Sequence, residues 1–196
     1  MRWIVLAILL VIVPYTYVNL KFRKPNKAFE PYADMKSQAN VGRLLDAGFR
    51  RVTLPVGDNA SAFVTAQAAV PAAALAPAPA GLPVELGEVL VEVPRLPLAY
   101  RDVSAPATHT AAVPLRLSFA LEPDPAAEGL RIGTVELYLR DNSAVLVPVF
   151  APASAAAPAT PAVLACEIPA GLLAPGAHVF TLAGARDSVR WSVLVR

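Results

Sequence analysis

The side chains best suited to do chemistry are few and scattered. The chain has two histidines, His109 and His178, and one cysteine, Cys166. A zinc site needs several ligands at close spacing, as in paired C-x-x-C or H-E-x-x-H, and neither pattern is present. The G-x-S-x-G elbow of a serine nucleophile and the glycine-rich phosphate loops G-x-G-x-x-G and G-x-x-x-x-G-K-[ST] are also missing. Glu85, Glu88 and Glu92 lie among apolar neighbours. Taken as strand residues, Glu88 and Glu92 share one sheet face, the ordinary pattern of a solvated polar surface. His178 reads as a structural turn residue at a strand entry. His109, within Thr108-His109-Thr110, reads as a solvated loop residue. Cys166 sits between Leu164-Ala165 and Glu167-Ile168 in a strand-like run. A lone cysteine has no intramolecular disulfide partner, so a small buried hydrophobe is expected over a reactive or intermolecular thiol. The expectation is a chain that is not an enzyme, with no catalytic, cofactor-binding or metal-binding residue.

The elements that would position any such groups must accommodate the composition. There are 196 residues, enough for one domain plus an anchor or for two very small domains. The 20 prolines are about twice the usual share. That density opposes a helical bundle, because an interior proline costs a helix about 3 kcal/mol. The net charge of +2 is unevenly placed: residues up to Arg51 sum to +6 and the remainder to −4. All four lysines, Lys21, Lys24, Lys27 and Lys36, fall in this first part. An outer region with an acidic balance lacks the dense basic face that phosphate neutralisation requires, which excludes nucleic acid as a partner.

Residues 1–20 read as a transmembrane anchor. Trp3 to Val18 contains no charge, and extension to Leu20 gives roughly 27 Å of helix, enough to span a bilayer core. Trp3 at one end and Tyr15 and Tyr17 at the other match interfacial aromatic belts. Lys21-Phe22-Arg23-Lys24-Pro25 follows directly and is a poor cleavage site, so an uncleaved signal-anchor is expected over a signal peptide.

Residues 21–51 form a basic neck. Within it a short helix is expected from Ala33, with Asp34 in its first turn, to a cap at Gly48, where Phe49 can supply the accompanying packing contact. Its apolar face packs on the outer domain or lies on a membrane surface; the first is favoured. Residues 52–83 continue the strand Arg51–Val56, which begins at the last residue of the neck, and then hold an Ala/Pro-rich linker or long loop, Pro71–Pro83.

Residues 84–196 carry regular strand signals. Val84–Val93 is expected as the first strand. In Val113–Glu122, Leu115, Leu117, Phe119 and Leu121 alternate with Arg116, Ser118, Ala120 and Glu122. Residues 132–150 read as a hairpin turning at Asp141-Asn142-Ser143. A second Ala/Pro-rich loop covers 151–162, and Val163–Ile168, Ala177–Leu182 and Ser188–Val195 complete the set. Prolines 94, 97, 114 and 148 suit edges or bulges. The fold class expected is mainly β, an antiparallel β-sandwich behind the anchor and a short juxtamembrane helix, with Leu117, Phe119, Leu137, Phe180 and Trp191 in its core.

Two stretches resemble bacterial immunoglobulin-like domains. Ile132-Gly133-Thr134-Val135-Glu136-Leu137-Tyr138-Leu139-Arg140-Asp141-Asn142 is similar to the strand reading roughly V-E-[FL]-Y-V-D-G. Leu173-Ala174-Pro175-Gly176-Ala177-His178-Val179-Phe180-Thr181-Leu182 resembles the P-G-T-H-x-[IF]-x-L entry to the penultimate strand. The family's D-x-x-G-N turn is replaced by Gly184-Ala185-Arg186-Asp187. The resemblance covers residues 110–196. It implies a non-catalytic spacer or interaction module, usually outside the cytoplasm. The expected function is therefore a membrane-anchored structural or protein-interaction module. Its alternative is an accessory subunit of a membrane complex acting through anchor and neck. Expected partners are membrane lipid and a protein; the sequence leaves a small-molecule ligand open. Four basic residues after the anchor favour a cytoplasmic domain by the positive-inside rule, whereas the immunoglobulin-like character favours an extracytoplasmic one, the side expected here.

Overall fold

The structure, a computed structural model, describes residues 32–57, 72–127, 129–152 and 163–196, with Arg2, Trp3, Leu10, Ile12, Pro14, Tyr15, Tyr17 and Lys21. The chain divides into two units, Met1–Met35 and Lys36–Arg196. In the first, the eight single residues just named are helical and exposed. Most of the expected anchor, the neck residues 22–31 and the loop 153–162 lie outside the described residues. Among the described residues, no helix is long and apolar enough to cross a membrane.

The second unit is mainly β. Its longest strands, β6 (Leu130–Arg140) and β7 (Ser143–Pro152), pair antiparallel around Asp141-Asn142. Asp141 adopts φ 52°, a left-handed conformation that aspartate tolerates better than most residues. Alternation sends Val135 and Leu137 to one face with Ala144 and Leu146. It sends Glu136 and Tyr138 to the other with Val147 and Val145. Both sets are buried, so this hairpin has no solvated face.

The remaining strands are β1 (Arg50–Gly57), β2 (Ala76–Ala78), β3 (Tyr100–Ser104), β4 (Thr108–His109), β5 (Leu115–Leu121), β8 (Leu164–Ile168), β9 (Gly176–Leu182) and β10 (Ser188–Val195). They join one curled sheet in the order β2-β10-β9-β7-β6-β1-β8-β5-β3, with β4 against β10. The sheet is mixed, since β7 pairs β9 in parallel and β4 pairs β10 in parallel; a purely antiparallel arrangement was expected. The curl is made by β1. Its residues up to Pro55 pair with β6, and Val56 and Gly57 pair with β8. Leu54, Leu117, Phe119, Leu137, Phe180 and Trp191 consequently meet in one inner cluster. There the Phe180 and Trp191 rings stack at 5.6 Å, and Tyr100 meets Phe119 edge-to-face at 5.6 Å.

A second cluster covers the other face of the hairpin. Helix α1 (Tyr32–Asp46) and its cap bring Leu44 and Phe49, and helix α2 (Val84–Val89) brings Leu86 and Leu90, onto Tyr138, Val145, Val147 and Ala183. Helix α1 ends as the sequence suggests. Gly48 has φ 77°, its N–H bonds the Leu45 carbonyl at 3.0 Å, and the Phe49 N–H bonds the Leu44 carbonyl at 2.7 Å. That pair of bonds is a Schellman motif.

Helix α2 corrects an expectation. Val84–Val93 is not a strand: Val84–Val89 is helical, with Pro83 at its N-cap and Glu85 in its first turn. Leu86 and Leu90, four apart, are both buried on the hairpin, a contact a strand would not make. Glu88 and Glu92 therefore share no sheet face. The Ala/Pro stretch taken as a linker supplies the edge strand β2, paired with Ser188–Arg190. The other edge, β3, has a register shift and places Asp102 at φ 50°.

The turn between β9 and β10 is tightly closed. The Gly184 N–H bonds Ser188 Oγ at 3.1 Å, and the Ala185 N–H bonds the Pro97 carbonyl at 2.7 Å. A Cβ on Gly184 would lie 2.2 Å from the backbone oxygen of Asp187. Gly184→Ala is expected to lower the thermal midpoint, while Ala185→Gly, at an exposed position, should leave it nearly unchanged; calorimetry on both variants decides. Phe119→Ala should cost on the order of 3–5 kcal/mol in denaturant unfolding, and a loss below about 1 kcal/mol would contradict the inner cluster as drawn.

Candidate functional site

A cleft lies between helix α1 and strand β1. It has a volume of about 380 Å³ and is lined by Val41, Leu44, Leu45, Phe49, Arg50, Arg51 and Thr53. Leu44 and Phe49 are its buried floor, at 1% and 5% exposure, whereas Leu45 at 64% and Val41 at 44% stand open to solvent. Arg50 is exposed and Arg51 half-buried. One side of the cleft is thus apolar and the other basic.

Arg51 is the visible end of a polar network on the outer face of the sheet. Its guanidinium pairs with Glu136, and the Tyr138 hydroxyl donates to the other oxygen of the same carboxylate. The register makes this inevitable: Thr53 is paired with Glu136 and Arg51 with Tyr138, so all these side chains share one face. A carboxylate placed in an apolar layer needs such partners, because an unpaired buried charge is strongly destabilising. Burial, then the hydrogen bond to Glu136 and its negative charge, hold the Tyr138 phenol well above its ordinary range; Arg51 offsets part of this. Arg51 Nε is buried and makes no hydrogen bond. Beside the network, Arg140 lies over the Phe49 ring at 4.6 Å and pairs with Glu85, tying α2 to the hairpin.

A second cleft, of about 240 Å³, opens near Leu98, Leu121, Glu122, Asp124, Leu130 and Phe150. Its acids face arginines. Glu122 meets Arg186 and, at 3.6 Å, Arg101, and Asp124 meets Arg95 at 3.7 Å. Arg95 also lies 5.6 Å over the Phe150 ring. These pairs balance the charge of the rim and brace its walls.

The residues singled out in the sequence do not converge. His178 is buried at the start of β9, where Nε2 donates to the Ala174 carbonyl at 2.7 Å and closes the turn through Pro175-Gly176. Its Nδ1 is buried without a partner. His109 is not a solvated loop residue: it forms β4 beside β10, half-buried, with Nε2 2.8 Å from the Val113 carbonyl. Cys166 is buried in β8 at 1% exposure, and burial pushes its thiol up to about 12. Among the described residues no group of three or more His, Cys, Asp or Glu could hold a metal ion. The Arg51–Glu136–Tyr138 network was not anticipated. The one signal for it was a glutamate inside the strongly apolar run Val135-Glu136-Leu137-Tyr138.

No family model, no curated protein and no solved structure matches the chain.

The raised thiol and phenols fix how the domain responds to alkali. Cys166, Tyr138 and Tyr100, the last raised by burial, are neutral when protonated and resist ionisation in the folded state. The unfolded chain releases these protons first. Stability from these groups is therefore complete below about pH 9 and declines as pH rises towards 12. Thermal unfolding should show a falling midpoint above pH 9, and Cys166 should react with a thiol reagent at pH 8 only on unfolding.

Proposed function

We propose that this chain is a single-pass membrane protein whose immunoglobulin-like β-sandwich stands outside the cytoplasm as a non-catalytic interaction module. The observation that carries the reading is a set of large apolar side chains exposed at helical positions. Trp3 is 85% exposed, Leu10 67%, Ile12 53%, Tyr15 71% and Tyr17 63%. Water penalises such exposure at about 25 cal/mol per Å² of apolar surface, whereas hydrocarbon does not. They lie in the uncharged run from Trp3 to Val18.

The sandwich is supported by where the family-like motifs fall. Ile132–Arg140 lies within β6, leading into the hairpin turn, and the Pro175-Gly176 motif opens β9 with Gly176 at φ 135°. The two clefts offer relief that a partner could occupy. A second reading, an accessory subunit acting through anchor and neck, is favoured by the concentration of +6 in the first 51 residues.

Full-length protein should remain in the membrane fraction through an alkaline wash with its N-terminal residues intact; a mature N-terminus beyond residue 20 overturns the anchor. Protease added to spheroplasts should digest the domain and leave a short membrane-bound stub. Complete protection, with an exported control cleaved, places the domain in the cytoplasm. Retention of a captured protein partner by a chain shortened to its anchor and neck would favour the second reading.

A further inference from the structure

We propose that the cleft between α1 and β1 docks the domain onto an anionic lipid surface, an inference that rests on the membrane-anchored reading above. Its layout matches the interface of a bilayer, where phosphates overlie acyl chains. Leu45 and Val41 project from the flank of α1 and are 64% and 44% exposed, over the buried floor of Leu44 and Phe49. Arg50, which is exposed, and Arg51 and Thr53 form the polar margin of the same cleft. The opposite flank of α1 is already engaged: Arg43 donates to the Glu88 carbonyl at 3.1 Å, and Asn40 accepts from the Val91 N–H at 2.8 Å.

Charge selects the orientation. Within the domain, residues 36–51 carry Lys36, Arg43, Arg50 and Arg51 against Asp46, a sum of +3, and everything beyond Arg51 sums to −4. An anionic surface attracts the first part and repels the second, so this face is the one presented to it. Chain length makes a small patch sufficient. Residues 21–31, eleven in number, can reach at most about 36–40 Å. A domain on so short a tether meets the membrane at an effective concentration in the mM range. One arginine charge and two apolar side chains, too few for docking from free solution, are then enough. Arg50 supplies charge, Leu45 and Val41 supply insertion, and Arg51, its charge already balanced by Glu136, marks the polar margin.

The test uses full-length protein reconstituted into vesicles of phosphatidylcholine alone or with phosphatidylglycerol. A solvent-sensitive fluorophore is attached at Leu45→Cys; the buried Cys166 is not expected to take the label. Leu75→Cys, at an exposed position beside the edge strand β2, is the control. The expected result is a blue shift at position 45 in anionic vesicles only, with quenching by spin-labelled lipid, no shift at position 75, and loss of the shift on Arg50→Glu. Equal, water-like emission at position 45 in both vesicle types, from protein that survives an alkaline wash, overturns the docking and leaves the anchor standing. Release of the protein by the wash overturns the anchor and the docking with it. A shift that follows the protein-to-lipid ratio in both vesicle types assigns the cleft to a second copy of the chain and overturns the lipid assignment.

Discussion

The hairpin of β6 and β7 is apolar on both faces, and the rest of the domain is arranged to cover it. Leu137 and Leu146 face one way, Tyr138, Val145 and Val147 the other, and all are at most 3% exposed. A sheet layer buried on both sides cannot be served by one core. The inner face is met by the curl of the sheet, which β1 makes by passing from β6 to β8 within eight residues. Pro55, at the handover, donates no N–H to either neighbour, and this suits a strand that changes partners there. The outer face is met by α1 and α2, which place Leu44, Phe49, Leu86 and Leu90 on it. Helices and curl are thus two answers to one constraint.

The same constraint explains Glu136, the one buried acid among the described residues. Glu136 lies in the outer layer by register, between residues that must be apolar to seal it. Its charge is kept by two partners from the same face, Arg51 one strand away and Tyr138 two residues along its own strand. The edges follow a different logic. The edge strands are β2, three residues with Pro77 at its centre, and β3, interrupted by Asp102 at positive φ. Neither offers a long flat ladder to another strand, so recognition by strand addition is opposed at both ends and the open relief of the domain lies in its clefts.

Much of the fold was legible because alternation is a local signal. Leu115, Leu117 and Phe119 read correctly as an inward face, Ser188–Val195 as a strand to the residue, and Gly48 as a cap with Phe49 as its contact. What escaped depends on tertiary context. Val84-Glu85-Leu86-Gly87-Glu88-Val89 alternates as well as many strands do, and only Pro83 and the four-residue spacing of Leu86 and Leu90 marked a helix. The alternating valines of β7 mark a strand but not which face is covered by what, because alternation cannot tell a covered outer face from an inner one. Parallel pairing of β7 with β9 leaves no trace in either strand. The cleft was illegible for the same reason. Its walls are a helix and a strand whose relation is set by the hairpin beneath them, and Arg51 and Glu136 are 85 residues apart.

The cleft nonetheless has a fixed shape, and the reason lies in the link between its walls. Helix α1 and strand β1 are joined through Ala47, Gly48 and Phe49 alone. Gly48 reverses the chain in a conformation that L side chains rarely adopt, and the Schellman bonds lock that reversal. Phe49 is then driven into the outer core, 5% exposed, under the guanidinium of Arg140. Moving α1 relative to β1 would therefore pull Phe49 from its cluster and break the contact that Arg140 makes with it. Leu45 and Val41 are held open on the flank of a helix that cannot roll to bury them. Their exposure is a consequence of how the hairpin is covered, and the patch they form is positioned by the same contacts that seal the outer core.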